Sequence, residues 1–261
     1  MSLAFKKLSI GYKGHKKAYA IAAPLDIEIP KAKLTAIIGK NGAGKTTLIK
    51  TIAQLVKPLE GQVYLEEIPL EQLTDNKRAK KISFVFTSVL SSENMTVQEL
   101  VALGRYPYLN WYSKLSASDL LIIRESLEFT EIAGLANTKI HSLSDGQKQK
   151  ALIARALVQD TDYMVLDEPM SHLDHHHKSQ LLSLLKKLVK EKNKTIVYTT
   201  HDIEKAIVNA DYILALSSEK VSFDTPNKLI EKGIFHSLFP KDLVTFDPAT
   251  ARFLYRDSTS K

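Results

Sequence analysis

The fold is decided by the stretch Gly39-Lys40-Asn41-Gly42-Ala43-Gly44-Lys45-Thr46-Thr47. It fits the pattern G-x-x-x-x-G-K-[ST]. The apolar residues 34–38 precede it and indicate a buried strand, and residues 46–52 indicate a helix. Glycines let the backbone turn successive N–H groups inward, at the positive end of the helix dipole. The stretch therefore predicts a phosphate-binding loop between a strand and a helix, and not an ordinary glycine-rich turn.

This loop predicts the contacts of a bound nucleotide. Lys45 is expected to reach the β- and γ-phosphates, and the hydroxyl of Thr46 is expected to hold Mg²⁺. ATP and Mg²⁺ are the ligands that such a loop implies. The predicted contact residues are Gly39, Lys40, Asn41, Gly42, Ala43, Gly44, Lys45, Thr46 and Thr47.

Composition excludes several classes of protein. The chain of 261 residues contains no cysteine, so disulfides, Fe–S clusters and thiolate metal sites are excluded. Its net charge is +7, but the lysines are scattered, which favours a solvated surface near anionic lipid over a nucleic-acid groove. The sequence has neither a secretory signal nor a long uncharged apolar run, so we expect a cytoplasmic protein, or one held at a membrane through a partner.

The pattern of apolar residues predicts an α/β fold. Residues 3–10, 25–29, 62–65 and 82–86 read as strands of a small antiparallel layer. Residues 89–158 show helical periods, with a capping box at Thr96-Val97-Gln98-Glu99 and a helix starting at Ser118 or Asp119. Strands at 163–167, 195–199 and 212–216 alternate with helices, which predicts a mainly parallel sheet with the phosphate loop at its carboxyl edge.

These elements predict a single domain over residues 1–261. Its core and antiparallel layer are expected at 1–88 and 159–224, with an inserted α-helical subdomain at 89–158. The tail at 225–261 is mixed in character and predicts no function.

Two carboxylates end an apolar strand at Tyr163-Met164-Val165-Leu166-Asp167-Glu168. At the carboxyl edge of the sheet, Asp167 can hold the Mg²⁺ shared with Thr46. Glu168 points elsewhere because the strand has ended, and it can polarise the attacking water. The alternative is a strand that ends in two solvated acids.

A second anion site is indicated by Leu143-Ser144-Asp145-Gly146-Gln147, which opens a helix. Ser144 and Gln147 have the spacing of a capping box, which is a purely structural explanation. Gly146 leaves backbone N–H groups uncovered at the helix N-terminus. Because one small domain rarely needs two triphosphate cradles for one nucleotide, we expect this one to serve a nucleotide bound by another copy of the chain.

Together these motifs resemble the nucleotide-binding subunit of ATP-binding cassette (ABC) transporters, over most of the chain. The phosphate loop matches at 39–47, the family signature at 143–147, the acidic strand at 163–168, the D-loop at Ser171-His172-Leu173-Asp174 and the switch histidine at His201. The resemblance implies a P-loop NTPase (RecA-like) core and a head-to-tail dimer that sandwiches two ATP molecules. It assigns Ser144, Gly146 and Gln147 to the γ-phosphate across the dimer, and Asp174 to coupling between the sites.

The resemblance assigns three further positions. His201 is expected to contact the γ-phosphate, which makes it catalytic together with Glu168. Tyr12 matches the aromatic residue that stacks on adenine, although an ordinary edge-strand tyrosine fits its spacing equally well. The family places a glutamine where this chain has Thr87, so Mg²⁺ coordination there would need the shorter hydroxyl and a bridging water.

The segment Val101-Ala102-Leu103-Gly104-Arg105-Tyr106-Pro107-Tyr108 resembles importers of iron chelates, haem and cobalamin. The resemblance implies a membrane permease as partner at the cytoplasmic face of the membrane, with an extracytoplasmic binding protein, and no nucleic acid. Arg105 and the aromatics Tyr106, Tyr108, Trp111 and Tyr112 either dock the permease or pack the subdomain core. A soluble cassette acting on DNA or ribosomes and a phosphate-loop kinase are the alternatives. The run His175-His176-His177 could hold a metal, but consecutive histidines on a helix point in different directions.

Overall fold

A computed structural model describes residues 2–14, 18–86, 94–109, 114–238 and 244–255. The chain divides into two compact units. The first contains residues 1–72 and 197–261, and the second contains residues 73–196. Within the described ranges, no helix has the length and apolar character that crossing a membrane requires.

The first unit contains most of the strands. Its strands are β1 (Leu3–Ser9), β2 (Gly11–Lys13), β3 (Ala18–Ala20), β4 (Leu25–Ile29), β5 (Leu34–Ile38), β6 (Glu60–Leu65), β7 (Ile68–Pro69), the end of β10 (Thr195–Thr199), β11 (Tyr212–Leu216), β12 (Val221–Asp224), β13 (Val244–Asp247) and β14 (Arg252–Tyr255). Its helices are α1 (Lys45–Ile52), α7 (Ile203–Asn209) and α8 (Pro226–Glu231), with 3-10 turns at Leu70–Gln72 and Ile234–Ser237.

One sheet of this unit is the antiparallel layer predicted at the N-terminus. Its strand order is β4-β1-β6-β7, and Leu3 of β1 lies opposite both Ile29 and Leu65. Leu3, Phe5 and Leu8 are buried, so β1 presents an apolar face to the core. The predicted strands at 3–10, 25–29 and 62–65 are confirmed in this layer.

The other large sheet of the first unit contains the strand before the phosphate loop as an inner strand. Here β5 lies between β11 and β10, and β12 forms the edge beside β11. The β11–β5 pair is parallel, whereas β11 and β12 are antiparallel. All residues of β5 are buried, which explains why its sequence is a continuous apolar run and not an alternating one.

The tail predicted to be of mixed character folds onto this unit in its described part. Phe235, Phe246 and Phe253 form a ring cluster, with centroid separations of 5.1 Å and 5.0 Å. The N–H of Phe253 donates to the carboxylate of Glu204 on α7 at 2.8 Å. The hairpin β13–β14 is therefore attached to the unit by apolar packing and by a hydrogen bond.

The second unit contains most of the helices. They are α2 (Asp75–Ala79), α3 (Val97–Ala102), α4 (Ala117–Phe129), α5 (Asp145–Val158) and α6 (His175–Lys192), with 3-10 segments at Leu103–Tyr108, Ala133–Leu135 and Ile140–Ser142. Its strands are β8 (Ile82–Val85) and β9 (Tyr163–Leu166), followed by the start of β10.

The assignment of residues 82–86 to the antiparallel layer is wrong. Strand β8 pairs in parallel with β9, with Ile82 opposite Tyr163 and Val85 opposite Leu166. A short apolar run reads the same in either sheet, so periodicity alone could not place it.

The helix starts follow the local capping pattern. Thr96 and Glu99 form the predicted capping box of α3. Helix α4 starts one residue before the predicted position, because Ser116, and not Ser118, is its N-cap and pairs with Asp119. Both helices thus begin where a side-chain oxygen satisfies a backbone N–H group of the first turn.

Arg105 belongs to the interior of the second unit, so a docking role for its side chain is wrong. It pairs with Asp119 at 2.7 Å, donates to the carbonyl oxygen of Val158 at 3.0 Å and lies over the ring of Tyr108. Tyr106, in contrast, is 73% exposed. Trp111 and Tyr112 lie outside the described residues.

Candidate functional site

The phosphate loop leaves the buried strand β5 and ends as the N-cap of α1. Gly42 has φ 81° and Gly44 has φ 96°, a left-handed conformation that glycine adopts without strain. A β-carbon at Gly42 would meet no described atom within 4 Å, so the loop is open on that side. These two glycines let the backbone turn around a space at the N-terminus of α1.

Lys45 brings a positive charge to this loop. Its side chain is buried, and its ammonium donates to the carbonyl oxygens of Gly39 at 2.9 Å and Lys40 at 3.3 Å. Thr46 is half-buried in the first turn of α1. Lysine, helix N-terminus and turned backbone together suit a polyphosphate, so the residues present fit the triphosphate of a nucleotide.

Tyr12 lies beside the loop. It is 51% exposed, and its hydroxyl is 3.2 Å from the hydroxyl of Thr47. Tyr19 lies directly opposite Tyr12 in the β2–β3 pair and is also exposed. The structure thus brings an accessible aromatic ring to the phosphate loop, with a second ring next to it.

His201 follows β10 at the same edge of the sheet. The N–H of the preceding residue, Thr200, donates to the carbonyl oxygen of Ile37 at 3.1 Å, two residues before Gly39. Asp202 is the N-cap of α7, and His201 itself is exposed. The first unit therefore brings the phosphate loop, Tyr12 and His201 to one edge.

A cavity of about 470 Å³ borders residues 40–43 of the loop. Its other walls are Ile21, residues 215–218 with Glu219 and Lys220 from the turn after β11, and Ser222, Ile234 and Leu238. Sequence reasoning missed this turn, because residues 217–220 carry no motif and reach the loop only through the pairing of β11 with β5.

In the second unit, the acidic pair directly follows β9. Asp167 is buried, and its N–H donates to the carbonyl oxygen of Val85 at 2.8 Å. Glu168 is half-buried and has φ 47°, a left-handed conformation that costs about 1–2 kcal/mol in a residue other than glycine. The chain thus leaves the strand direction between the two acids, as expected from sequence, and strain of this kind clusters at functional sites.

The signature segment forms the start of α5. The hydroxyl of Ser144 accepts from the N–H of Gln147 at 3.3 Å, and the Gln147 carbonyl oxygen accepts from the N–H of Ser144 at 3.0 Å. The predicted capping box therefore exists, and Ser144, Gly146 and Gln147 lie together at one helix N-terminus. Capping and anion binding involve the same first turn and do not exclude each other.

Asp174 is the N-cap of α6. It accepts from the N–H of His177 at 2.8 Å and lies 2.9 Å from Nδ1 of the same residue. The hydrogen bond from this N–H, followed by that from the ring, lowers the pKa of the Asp174 carboxyl below its ordinary value. His176 contacts Gln180, with 3.1 Å between Nε2 of the histidine and Nε2 of the glutamine. Within the part of the chain that the structure describes, no group of three or more His, Cys, Asp or Glu side chains is arranged to hold a metal ion.

The structure describes two of the three residues predicted to hold Mg²⁺, one in each unit. Thr46 in the first unit and Asp167 in the second offer a hydroxyl and a carboxylate oxygen. Hydroxyl and carboxylate oxygens suit a hard divalent cation that keeps several waters, so the chemistry of each of these two predicted ligands fits Mg²⁺. Thr87, the third predicted ligand, lies outside the described residues.

Comparison with known proteins gives consistent matches. The family model described as ABC transporter matches residues 22–171. An uncharacterized ABC transporter ATP-binding protein of Methanocaldococcus jannaschii is 39% identical over 238 residues, which are 91% of this chain and 81% of that protein. An iron(3+)-hydroxamate import ATP-binding protein of Bacillus subtilis is 35% identical over 251 residues, 95% of this chain and 92% of that protein.

A solved structure confirms the fold class. It is described as the dimeric post-hydrolysis state of an ATP-binding cassette bound to ADP and Pi. It has a TM-score of 0.73 and 30% identity, and covers 86% of this chain and 98% of its own. Both the family resemblance and the P-loop NTPase fold predicted from sequence are thus confirmed. The chain belongs to the ABC transporter family.

Proposed function

We propose that this chain hydrolyses ATP at a homodimer interface and thereby drives import of a ferric siderophore or a related iron complex. The observation that supports the proposal most directly is that two helix N-termini, where backbone N–H groups can bind an anion, begin at Gly44 in the first unit and at Ser144 in the second. A nucleotide held by the phosphate loop of one copy has its second set of donors at the signature segment of the other.

The residues of the site have distinct roles in this proposal. The phosphate loop and Lys45 bind the triphosphate, and the ring of Tyr12 stacks on the base. Thr46, Asp167 and Thr87 would hold Mg²⁺, which would neutralise negative charge on the triphosphate. Glu168 orients and deprotonates the attacking water, while His201 donates a hydrogen bond to the γ-phosphate. Catalysis is then mainly positioning and electrostatic stabilisation.

Ser144, Gly146 and Gln147 of one copy would donate to the γ-phosphate bound by the other, and Asp174 would couple the two sites. The solved relative is described as dimeric and bound to ADP and Pi, which supports this arrangement. Closure of the dimer therefore requires nucleotide, and hydrolysis removes the group that both copies share.

Contact with a permease is supported by exposed apolar side chains of the second unit. Tyr106 and Leu103 lie on the 3-10 segment before α4, while Leu120 and Leu121 lie on α4. Such side chains suit an interface with a cytoplasmic helix of a membrane protein. The chain would then work at the cytoplasmic face of the membrane, with an extracytoplasmic binding protein delivering the cargo.

The iron-complex cargo is supported by the relative named for iron(3+)-hydroxamate import, which matches 95% of this chain. A strain lacking the chain should lose growth on a ferric hydroxamate as sole iron source and regain it with the wild-type gene. Growth on ferric chloride is the control. Unchanged growth on the hydroxamate would contradict the proposal that an iron complex is the cargo. A growth defect on haem or cobalamin would identify that compound as the cargo instead.

The ATPase part has a separate test. The purified chain should hydrolyse ATP with Mg²⁺, form a dimer only with MgATP, and co-purify with a polytopic membrane protein. Association with ribosomes or nucleic acid, and with no membrane protein, would instead support the soluble cassette.

A further inference from the structure

The ring of His177 occupies the space where Gly146 has no side chain. A β-carbon placed on Gly146 would lie 2.7 Å from Cδ2 of this ring, 3.2 Å from Cγ and 3.4 Å from Nε2. Gly146 is not among the glycines with positive φ, so its backbone does not require glycine. The absence of a side chain at this position is therefore a packing requirement, set by the ring of His177.

The same ring is held from its other side. Nδ1 lies 2.9 Å from the carboxylate of Asp174, and the ring makes an edge contact with His176 at a centroid distance of 5.7 Å. His177 occupies the third helical position after the N-cap, which faces the cap residue, so neither of the two preceding histidines can make this contact. One ring thus connects the start of α6 to the start of α5.

We infer that His177 is a positioning residue that holds the signature segment 144–147 against the N-cap of α6. The inference rests on the proposed function, because the segment acts in catalysis only when it faces a nucleotide bound by a second copy. The ring prevents the first turn of α5 from shifting, and the hydrogen bond to Asp174 fixes the orientation of the ring. His177 itself contacts neither nucleotide nor water in the reaction.

Removal of the ring should loosen the segment in the isolated, nucleotide-free chain. In His177→Ala, backbone amides of residues 145–148 should exchange hydrogen with solvent about tenfold faster, because local opening costs less. His176→Ala is the matched control, since it removes a neighbouring imidazole of the same helix and should leave this exchange unchanged. Equal exchange in the two variants would overturn the inference.

Turnover supplies the second measurement. A segment displaced by a fraction of an ångström lowers kcat, and His177→Ala should lose about tenfold. The dissociation constant of MgATP for the single chain should stay the same, because the phosphate loop and Tyr12 hold that nucleotide. His177→Phe keeps a ring against Gly146 but loses the hydrogen bond to Asp174, so it should recover only part of the lost kcat.

The outcomes separate this inference from the proposed function. If wild-type protein hydrolyses ATP and His177→Ala matches His176→Ala in kcat, the positioning role is wrong. A parallel loss of nucleotide affinity and kcat would also overturn it, because the damage would then reach the phosphate loop. If wild-type protein neither hydrolyses ATP nor dimerises while the exchange difference persists, the proposed function fails and the contact between His177 and the segment stands.

Discussion

The hydroxyl of Tyr12 lies 3.2 Å from that of Thr47, which ties the short strand β2 to the first turn of α1. The tyrosine is anchored through its oxygen, while about half of its surface stays accessible. A ring held in this way can stack on the base of a nucleotide whose phosphates occupy the loop. The predicted stacking of this ring on the base can therefore be tested by substitution.

Tyr12→Ala should weaken ATP binding about tenfold, which corresponds to about 1.4 kcal/mol and lies within the range for base–aromatic stacking. Tyr12→Phe keeps the ring and should bind within about twofold of wild type. Isothermal titration calorimetry of the single chain measures both. Tyr19→Ala is the control on the facing strand, and a larger loss there would move the base contact from Tyr12 to Tyr19.

Glu168→Gln should bind MgATP normally, accumulate as a closed dimer and lose at least about 10²-fold in kcat, because an amide cannot accept the proton of the attacking water. Steady-state phosphate release and size-exclusion chromatography with light scattering give the two readouts. Glu131→Gln is the matched control, because it makes the same chemical change in the same unit at a glutamate that forms an ion pair with Lys150 at 2.9 Å and has no proposed role in catalysis. Normal turnover in Glu168→Gln would show that Glu168 is not the general base.

The backbone of Glu168 gives a second prediction for the same residue. Because φ is 47°, Glu168→Gly should relieve strain and stabilise the protein by about 1 kcal/mol while it abolishes turnover. Thermal unfolding of the nucleotide-free chain measures the gain. A lower melting temperature would show that contacts of the glutamate side chain outweigh the strain.

The buried pair Arg105–Asp119 should be needed for stability and not for ATP binding. Arg105→Ala leaves a buried carboxylate without its cation and removes the bond to Val158, so unfolding should become about 3 kcal/mol easier. Arg124→Ala breaks the exposed pair with Glu128 and should cost no more than about 0.5 kcal/mol. Urea unfolding compares the two variants, and equal losses would contradict the burial argument.

The same pair has a defined pH dependence. Hydrogen bonds from the Ser116 side chain and backbone, with Arg105 adding to them, lower the pKa of Asp119 below its ordinary value. A carboxyl group whose pKa is lower in the folded than in the unfolded chain stabilises the fold when it is ionised. This stabilisation is fully present at pH values above the pKa of the unfolded chain, near 4, and it is lost as the pH falls through the pKa of the folded chain. The difference in unfolding free energy between wild type and Asp119→Asn should therefore be constant from about pH 6 to 8 and shrink below about pH 4.

Local sequence patterns were sufficient to predict those structural elements of the candidate site that form by contacts between residues close together in the chain. The phosphate loop, the capping boxes at Thr96 and Ser144, and the strand before Asp167 all depend on residues close together in the chain, and the structure shows each of them. Spacing along the chain is direct physical information in these cases.

Tertiary contacts could not be predicted in this way. The pairing of β8 with β9, the burial of Arg105 against Asp119 and the ring of His177 on Gly146 join residues that lie 14 to about 80 positions apart. The histidine run suggested a metal from residue type alone, whereas the contacts of His177 come from its place in the first turn of α6. Sequence therefore predicted the local elements better than the contacts between distant residues.

Thr87 stands where the family resemblance predicts a glutamine, and it lies outside the described residues. We expect Thr87→Gln to raise or retune ATP turnover, because the longer amide reaches Mg²⁺ and the attacking water without a bridging water. Thr87→Val is the matched control, since it keeps the shape and removes the hydroxyl, and it should lower turnover. An unchanged rate and Mg²⁺ dependence in Thr87→Gln would sink this hypothesis.

The hydroxyl of Tyr198 has no hydrogen-bond partner among the described residues, although the side chain is fully buried in β10. Burial, with the Asp202 carboxylate adding to it, raises the pKa of this hydroxyl well above its ordinary value, so it stays neutral. An unsatisfied buried hydroxyl costs about 1–3 kcal/mol, and Tyr198→Phe should therefore stabilise the protein, by about 1 kcal/mol.

The control for this variant is a tyrosine with a satisfied hydroxyl. Tyr108 donates to the carbonyl oxygen of Gln159 at 3.1 Å, so Tyr108→Phe should destabilise the protein by about 1 kcal/mol. Urea unfolding monitored by fluorescence should thus give opposite signs for the same chemical change at the two positions. A loss of stability in Tyr198→Phe would mean that the hydroxyl is satisfied by a buried water, because only a hydrogen bond offsets the cost of burying it.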